Sequence, residues 1–145
     1  MINLGSEVYA QLGDYREILP AWIDHPGVSS FVHADDVTRD RHGFTLVGFY
    51  DAPDVPVGLV ADLMAIAVAP AFQRQGIGHR LLEHAIDFAT RAGEHVSIPE
   101  LRLTVADANT GAQKLFASFG FVVHDAQHGS YDGGQRAIRM KRPLR

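Results

Sequence analysis

The 145-residue chain has the length of one ordinary domain, and its 46% hydrophobic and 21% charged residues are typical of a globular protein. Its 17 acidic and 13 basic residues give a net charge of -4, which argues against a nucleic-acid-binding protein. The sequence has no cysteine for a disulfide or thiolate metal site, no apolar run long enough to span a membrane, and no signal-peptide pattern. We therefore expect one cytoplasmic domain over residues 1–145, with no nucleic-acid or membrane partner.

The first residues give weak signals of secondary structure. Val8–Leu12 has the composition of a short strand. Asp14 and Glu17 have the spacing of a capping box, and apolar residues then recur at helical spacing until Pro20 interrupts them. Residues 25–27, His-Pro-Gly, are expected to end this helix. Much of the remaining segment before residue 44 has no clear pattern.

Three strands are predicted in the middle of the chain. Phe44–Tyr50 and Val55–Ala61 are separated by turn-forming residues and are expected to form a hairpin. Leu63–Val68 is largely apolar, which predicts a strand buried on both faces. Pro70 then stops it.

The second half alternates helical and strand patterns. An amphipathic helix is predicted from Ile77 to Gly93, followed by a strand, Leu101–Val105. A second helix should run from Ala112 to Gly120. Two last strands, Phe121–Asp125 and Arg136–Lys141, flank a glycine-rich turn over residues 129–134. This order predicts a mixed α/β fold, with a central sheet flanked by helices.

The loop from Gln73 to Gly78 carries the strongest functional signal. It joins a buried strand to a helix, so its backbone N–H groups and the helix dipole can face a phosphate. Gly76 and Gly78 allow the backbone to approach a ligand closely. A bare Gly-x-Gly is more often a plain turn. The sequence lacks the Lys-Ser/Thr of a P-loop and the third glycine of a dinucleotide-binding fold.

Two motifs make the resemblance specific. Gln73-Arg74-Gln75-Gly76-Ile77-Gly78 resembles the Gln/Arg-x-x-Gly-x-Gly/Ala pyrophosphate loop of GNAT acetyltransferases, and residues 66–70 are similar to its strand-and-proline lead-in. Residues 105–109 and 112–121 resemble the second motif of this family, in which an Asn opens a helix that ends in Gly-Phe. The resemblance covers residues 63–123 well, whereas residues 1–45 correspond only to the variable region of the family.

The resemblance implies acetyl-coenzyme A as the acetyl donor. The backbone of Ile66, Ala67 and Val68 would bond the pantetheine arm as an added strand does. The N–H groups from Arg74 through His79 would hold the pyrophosphate. Asn109 would bond the pantetheine or the adjacent loop, and it is equally interpretable as a helix N-cap, which is compatible with that role.

In the family an amine attacks the thioester, an oxyanion forms, and a thiolate leaves. The backbone N–H of Val68 is the equivalent oxyanion donor. Relatives that acetylate ribosomal-protein N-termini have a Glu as base where this chain has Thr104. We therefore choose Asp62, at the head of the strand that leads to Val68, as the candidate base. The alternative is that Asp62 is an exposed residue in a turn between two strands.

The proton donor of the family is also missing. Many members have a Tyr seven residues after the motif Asn, and Phe116 occupies that position here. Helical spacing predicts that Phe116 packs in the core. Water or Tyr131, on the glycine-rich turn, is the alternative donor, although Tyr131 is also interpretable as a surface turn residue. A thiolate is a tolerable leaving group, because a thiol has a pKa of roughly 8.5.

The sequence leads to one principal function and two alternatives. We expect an N-acetyltransferase that acts on a primary amine, as a monomer or homodimer. Thr104 and Phe116 favour the alternative, an acyl-coenzyme A sensor without activity, and a nucleotide-binding regulator is a weaker third hypothesis. His124 and His128 are four residues apart in a strand-and-turn region, and we expect no metal site. The identity of the amine is not encoded in a recognisable motif.

Overall fold

The computed structural model describes residues 28–34, 41–130 and 136–144. Its elements in chain order are β1 (Val28–Ala34), β2 (Arg41–Tyr50), β3 (Val60–Val68), a 3-10 turn (Pro70–Phe72), α1 (Ile77–Ala92), β4 (Glu100–Ala106), α2 (Thr110–Ser118), β5 (Val122–Ser130) and β6 (Arg136–Pro143). The predicted strand Val8–Leu12, the helix after it and Tyr131 lie outside the described residues.

The six described strands form one mixed sheet in the order β1-β2-β3-β4-β6-β5. Strands β3 and β4 are parallel, and the other neighbouring pairs are antiparallel. A parallel pair needs a long crossover connection, and α1 provides it. The predicted mixed α/β fold with flanking helices is therefore confirmed.

The core lies between one face of the sheet and the helices. Five residues of α1 share one face of the helix and are buried: Ile77, Leu81, Leu82, Ala85 and Ala89. Leu82, Ala85 and Ala89 belong to the same packed cluster as alternate residues of β3 and β4, including Leu63 and Leu103. Successive strand residues point to opposite faces, so Asp62 and Thr104 project from the face away from this core.

The predicted strand Val55–Ala61 is wrong. Residues 51–59 form a loop, and a single strand, β3, runs from Val60 to Val68. Gly58 explains the difference: it has a φ of +91°, and a Cβ there would lie 2.1 Å from the Ser97 carbonyl oxygen. The N–H of Leu59 donates to the same oxygen at 2.8 Å, so the loop packs beside residue 97 instead of extending the hairpin.

Two further predictions about β3 are corrected. Asp62 is the third residue of the strand, so its interpretation as a turn residue between two strands is wrong. Burial alternates along β3 between buried and half-buried residues, so the strand is not equally buried on both faces as predicted. Asp62 is on the half-buried face, where a side chain can reach a ligand.

At the C-terminal end, β5 is longer than the sequence indicates. Gly129 and Ser130 were expected in the glycine-rich turn, but they pair with Ala137 and Arg136 of β6. The register of β5 is irregular before Gly129, which accounts for the weak strand pattern there.

Candidate active site

A β-bulge in β3 opens a cleft in the sheet. Leu63 pairs with Val47 and Ala65 with Leu46, so Met64 is an extra residue on β3. Within the described strands, the registered pairs between β3 and β4 end at Leu63, immediately before this bulge. The two strands therefore separate beyond residue 63, and the edge of β3 from Met64 to Val68 borders the gap.

A buried hydrogen bond lies next to the bulge. Thr45 on β2 is fully buried, and its hydroxyl donates to the carbonyl of Ala65 at 2.9 Å. A buried hydroxyl without a partner would cost free energy, so this bond stabilises the pairing of β2 with β3 beside the bulge.

The loop after β3 has the geometry of an anion site. Arg74 and Gly76 both have left-handed backbones, with φ of 64° and 80°. For Arg74 this conformation costs roughly 1–2 kcal/mol, a strain that is common at functional sites. The Gln73 side chain donates to the Val68 carbonyl at 3.0 Å and ties the loop to the end of β3.

The start of α1 is left open for an anion. Gly76 is the N-cap residue and provides no side-chain cap, and the first turn contains no acidic residue. The N–H groups of a first helical turn have no partners within the helix, and the dipole there favours negative charge. A Cβ on Gly76 would meet no atom within 4 Å, so the space in front of the loop is open. These features fit a pyrophosphate.

Helix α2 borders the same region. A Cβ on Gly78 would lie 3.8 Å from Val68 Cγ2 and 4.0 Å from Leu115 Cδ2, so α2 packs close to both the loop and the end of β3. The rings of His79 and Phe119 are 4.6 Å apart and join the two helices at this point.

Asn109 opens α2 as its N-cap. Its Oδ1 atom accepts a hydrogen bond from the N–H of Ala112 at 3.1 Å. Gln113 ties down the same turn, because its Nε2 atom donates to the carbonyls of Ala106 and Asp107. The N-cap interpretation is confirmed, and a contact between Asn109 and the donor stays a prediction.

Phe116 is a core residue. It is 4% exposed, and its ring meets Phe121 edge-on at 5.9 Å between centroids. The core prediction is therefore confirmed, and the position that holds a Tyr in many relatives has no group here that can protonate a thiolate.

We expect Phe116→Ala to lower the free energy of unfolding by about 3–5 kcal/mol, because removing a buried phenyl ring leaves a cavity. Chemical denaturation measures this loss. Val123→Ala is the control, since Val123 is exposed and its truncation should change stability by less than about 0.5 kcal/mol. A Phe116→Ala protein with unaltered stability and abolished turnover would contradict the core assignment.

A polar cluster lies on the face of the sheet away from α1. Arg139 of β6 donates through Nη1 to Thr104 Oγ1 at 3.2 Å, and through Nη2 to the hydroxyl of Tyr50. The same Nη2 lies 3.6 Å from Asp62 Oδ2. Burial, and then the charge of Asp62, raise the pKa of the Tyr50 phenol above its ordinary value, so Tyr50 is neutral near pH 7. We call these four side chains the Arg139 cluster.

A cavity of about 340 Å³ adjoins the Arg139 cluster and shares Tyr50 and Arg139 with it. Its other charged lining residues are Asp54, Arg102 and Asp125. This volume is at the lower end of the range typical for small-molecule sites. Arg139 lines the cavity and lies 3.6 Å from Asp62, so the cavity is a candidate acceptor pocket.

Arg102 forms a rigid part of the pocket wall. Its side chain is 6% exposed, and it donates to both carboxylate oxygens of Asp54, at 3.1 and 2.6 Å, and to Glu100 at 2.6 Å. Burial alone would lower the pKa of the guanidinium, but the hydrogen bonds to Asp54 and Glu100 outweigh it and raise that pKa. Asp54 thus anchors the loop of residues 51–59 to β4.

This anchor predicts a pH-dependent contribution to stability. The hydrogen bond from Arg102 lowers the pKa of Asp54 below its ordinary 3.8. A lowered folded-state pKa contributes stability that is present above pH 3.8 and is lost as the pH falls through the folded value. Asp54→Asn should therefore be less stable than wild type at pH 7, and the difference should shrink below pH 3.8. Denaturation midpoints measured across this range test it, and a difference independent of pH would contradict it.

Among residues 28–34, 41–130 and 136–144, no group of three or more His, Cys, Asp or Glu side chains is placed to hold a metal ion. The side chain of His128, one of the two histidines considered from the sequence, is outside the described part. No helix in that part is both long and apolar enough to cross a membrane.

The chain can now be assigned to a class of proteins that has a bulged strand, a cleft beside it and a helix that begins at a glycine. Residues 5–121 match the model of the Acetyltransferase (GNAT) family, and the chain belongs to that family. Over 87 residues it is 39% identical to [Ribosomal protein bS18]-alanine N-acetyltransferase of Escherichia coli strain K12, an alignment that covers 58% of this chain and 56% of the relative. The match thus spans little more than half the length of that curated relative.

Solved structures agree on the fold. The crystal structure of the ribosomal-protein-S18-alanine N-acetyltransferase from Escherichia coli is 26% identical, with a TM-score of 0.71 and coverage of 99% of this chain and 87% of that one. Arabidopsis thaliana NAA60 in complex with a bisubstrate analogue gives a TM-score of 0.78 at 12% identity, covering 98% and 91% of the two chains. At that identity the second likeness concerns the fold alone.

The structure brings the predicted cofactor residues together. One end of the cleft is surrounded by residues 66–68, the loop of residues 73–79 and the start of α2. Asp62 lies two residues before the bulge. Their roles stay predictions.

Tyr50 and Arg139 were not predicted from the sequence, because no local motif marks them. The one available signal was a charged residue in the middle of the predicted strand Arg136–Lys141.

Proposed function

We propose that this protein is a cytoplasmic N-acetyltransferase that transfers the acetyl group of acetyl-coenzyme A to a primary amine. The observation that carries the proposal is the cleft between β3 and β4, which ends at a helix N-terminus without a side-chain cap or an acidic residue. An extended pantetheine arm suits the edge of a separated strand, and a pyrophosphate suits the start of α1.

Some residues of the chain bind acetyl-coenzyme A, and others accept or donate protons. The backbone of Ile66 and Ala67 holds the pantetheine arm, and the N–H of Val68 stabilises the oxyanion that forms when the amine adds to the thioester carbonyl. Asp62 accepts the proton that the amine loses. The carbon–sulfur bond breaks, the acetyl group stays on nitrogen, and coenzyme A leaves as a thiolate that Tyr131 or water protonates.

The acceptor is a primary amine of limited size at its reactive end. The cavity that adjoins the Arg139 cluster measures about 340 Å³, which is enough for a small amine or for the first residues of a peptide. The Escherichia coli relative is named for acetylation of the alanine of ribosomal protein bS18. A peptide that begins with alanine is therefore one acceptor to test, although Thr104 replaces the Glu that such relatives have.

Consumption of acetyl-coenzyme A, measured over polyamines, aminoglycosides, amino acids and peptides, tests the proposal. We expect at least one amine to accelerate release of coenzyme A well above the rate without amine. Tight binding of coenzyme A with no turnover on any amine would instead support an acyl-coenzyme A sensor. Binding of ATP in preference to coenzyme A would support a nucleotide-binding regulator.

A further inference from the structure

The side chain of Arg139 spans the sheet where it begins to separate. From β6 it reaches Thr104 on β4, Asp62 on β3 and Tyr50 on β2. The last registered pair of β3 and β4 is Leu63 with Leu103, so these contacts lie next to the point where the backbone pairing ends. One guanidinium thus connects β6 to three other strands at the closed end of the cleft.

The burial of Arg139 shows that its contacts matter. The Arg139 side chain is 13% exposed and the Asp62 side chain 21%. A charge removed from water is costly unless it is paired and hydrogen-bonded. Arg139 faces Thr104 across one strand pair and Asp125 across the other. Its surroundings therefore supply both acidic and neutral partners, which fix the orientation of the planar group.

We propose that Arg139 is a positioning residue that holds the carboxylate of Asp62 toward the acceptor amine. This inference rests on the proposed function, in which Asp62 accepts the amine proton. The guanidinium donates to Thr104 and to Tyr50, and these two bonds fix its orientation. The fixed Nη2 atom, 3.6 Å from Asp62 Oδ2, then holds the carboxylate in place. Thr104, at the position of the usual Glu, then acts as an anchor for the arginine and takes no part in proton transfer.

A positioning role has a specific energetic consequence. If Arg139 acts through Asp62, then its removal should cost little once Asp62 can no longer accept a proton. Two residues that act as a unit give non-additive losses in a double-mutant cycle. A purely structural arginine would lower activity by the same factor whether or not Asp62 is intact.

The test is a cycle of wild type, Arg139→Gln, Asp62→Asn and the double variant, with kcat and KM measured for each. We expect Arg139→Gln to lower kcat at least about tenfold, which is part of the roughly 100- to 10,000-fold contribution of a general base, and to leave the KM for acetyl-coenzyme A unchanged. In the Asp62→Asn background the same substitution should lower kcat less than about twofold, given that the residues act as one unit. Equal factors in both backgrounds would overturn the proposal.

Two further variants make the cycle robust. Arg139→Lys keeps the charge without the fork, and is carried through the same cycle because truncating a buried arginine also lowers stability. It should recover part of the lost kcat when Asp62 is present and none when it is absent. Arg142→Gln is the matched control on β6, since Arg142 donates only to the neighbouring Pro143 carbonyl among the hydrogen bonds described. Its kcat should equal that of wild type.

The outcomes separate this inference from the function on which it rests. A wild-type protein that transfers acetyl to no amine would overturn the proposed function. Full turnover in Asp62→Asn would overturn both the base and the positioning role while acetyl transfer stands. Loss in Asp62→Asn together with full turnover in Arg139→Gln would overturn the positioning role alone.

Discussion

Replacing Gly76 with leucine should weaken binding of coenzyme A at least about tenfold, because hydrogen bonds to a charged group contribute roughly 1.5–3 kcal/mol each. The Gly76 backbone has a φ of 80°, and a side chain there would project into the open space in front of the loop. Both the altered backbone and the added bulk would displace the N–H groups that we assign to the pyrophosphate. Titration calorimetry with coenzyme A measures the effect.

Gly120 provides the matched control for this substitution. It also has a left-handed backbone, with a φ of 88°, and a Cβ there would meet nothing within 4 Å. Gly120→Leu should therefore lose a similar amount of stability, roughly 1–2 kcal/mol, but leave the affinity for coenzyme A unchanged.

Gly78→Leu extends the test within the loop. Its Cβ would make only ordinary contacts, 3.8 Å from Val68 and 4.0 Å from Leu115, whereas the rest of a leucine side chain needs space beside them. We expect weaker binding here too. Unchanged affinity in both the Gly76 and the Gly78 variants would refute the assignment of the loop.

Replacing Asp62 with asparagine should lower turnover at least tenfold near neutral pH, since a positioned general base contributes about 100- to 10,000-fold. Asparagine keeps the shape of the side chain and removes its capacity to accept a proton. An amine with a pKa of roughly 10.4 is mostly protonated at pH 7, so the reaction depends on a group that takes the proton. The deficit should therefore shrink as the pH rises and free amine accumulates.

The pH profile of kcat/KM for the amine distinguishes this role from a structural one. Asp87→Asn is the control, because Asp87 pairs with Arg91 on the exposed face of α1 and should leave the profile unchanged. A wild-type profile with full turnover in Asp62→Asn would exclude Asp62 as the base. The group that accepts the proton from the amine would then be solvent or a histidine.

Local sequence patterns predicted the elements that surround the loop of residues 73–78. The recurrence of apolar residues from Ile77 to Ala89 reflects one buried helix face, and the structure has α1 over Ile77–Ala92. The signal was strong because it repeats over many turns and is bounded by glycines. The loop itself was chosen as the candidate coenzyme A site because binding there would depend on backbone and glycine positions, which a short motif records.

The wrong or missing strand predictions have physical causes that a local sequence pattern does not record. Val55–Ala61 has strand-like composition, but Gly58 and the contact with Ser97, 39 positions further along the chain, turn it into a loop. The strand β1, Val28–Ala34, was not predicted, because its Ser29, Ser30 and His33 dilute the apolar pattern. Its place in the sheet depends on pairing with β2.

The Arg139 cluster could not be predicted for a related reason. Tyr50, Asp62, Thr104 and Arg139 come from four strands, and they meet only because β6 inserts between β4 and β5 in the sheet. The sequence indicated Asp62 as a candidate base from its position before Val68. The arginine that contacts it is 77 positions away and follows from the sheet order, which the one-dimensional pattern does not specify.

Transfer of an isotope-labelled acetyl group tests the central claim most directly. The protein is incubated with coenzyme A that carries a ¹³C-acetyl group and with each amine, and mass spectrometry follows the label while released thiol is measured. We expect the label to appear on the amine nitrogen in equal amount to the coenzyme A released, and Gly76→Leu to reduce both together. Release of coenzyme A without labelled amine, or no release with any amine despite tight binding, would contradict it.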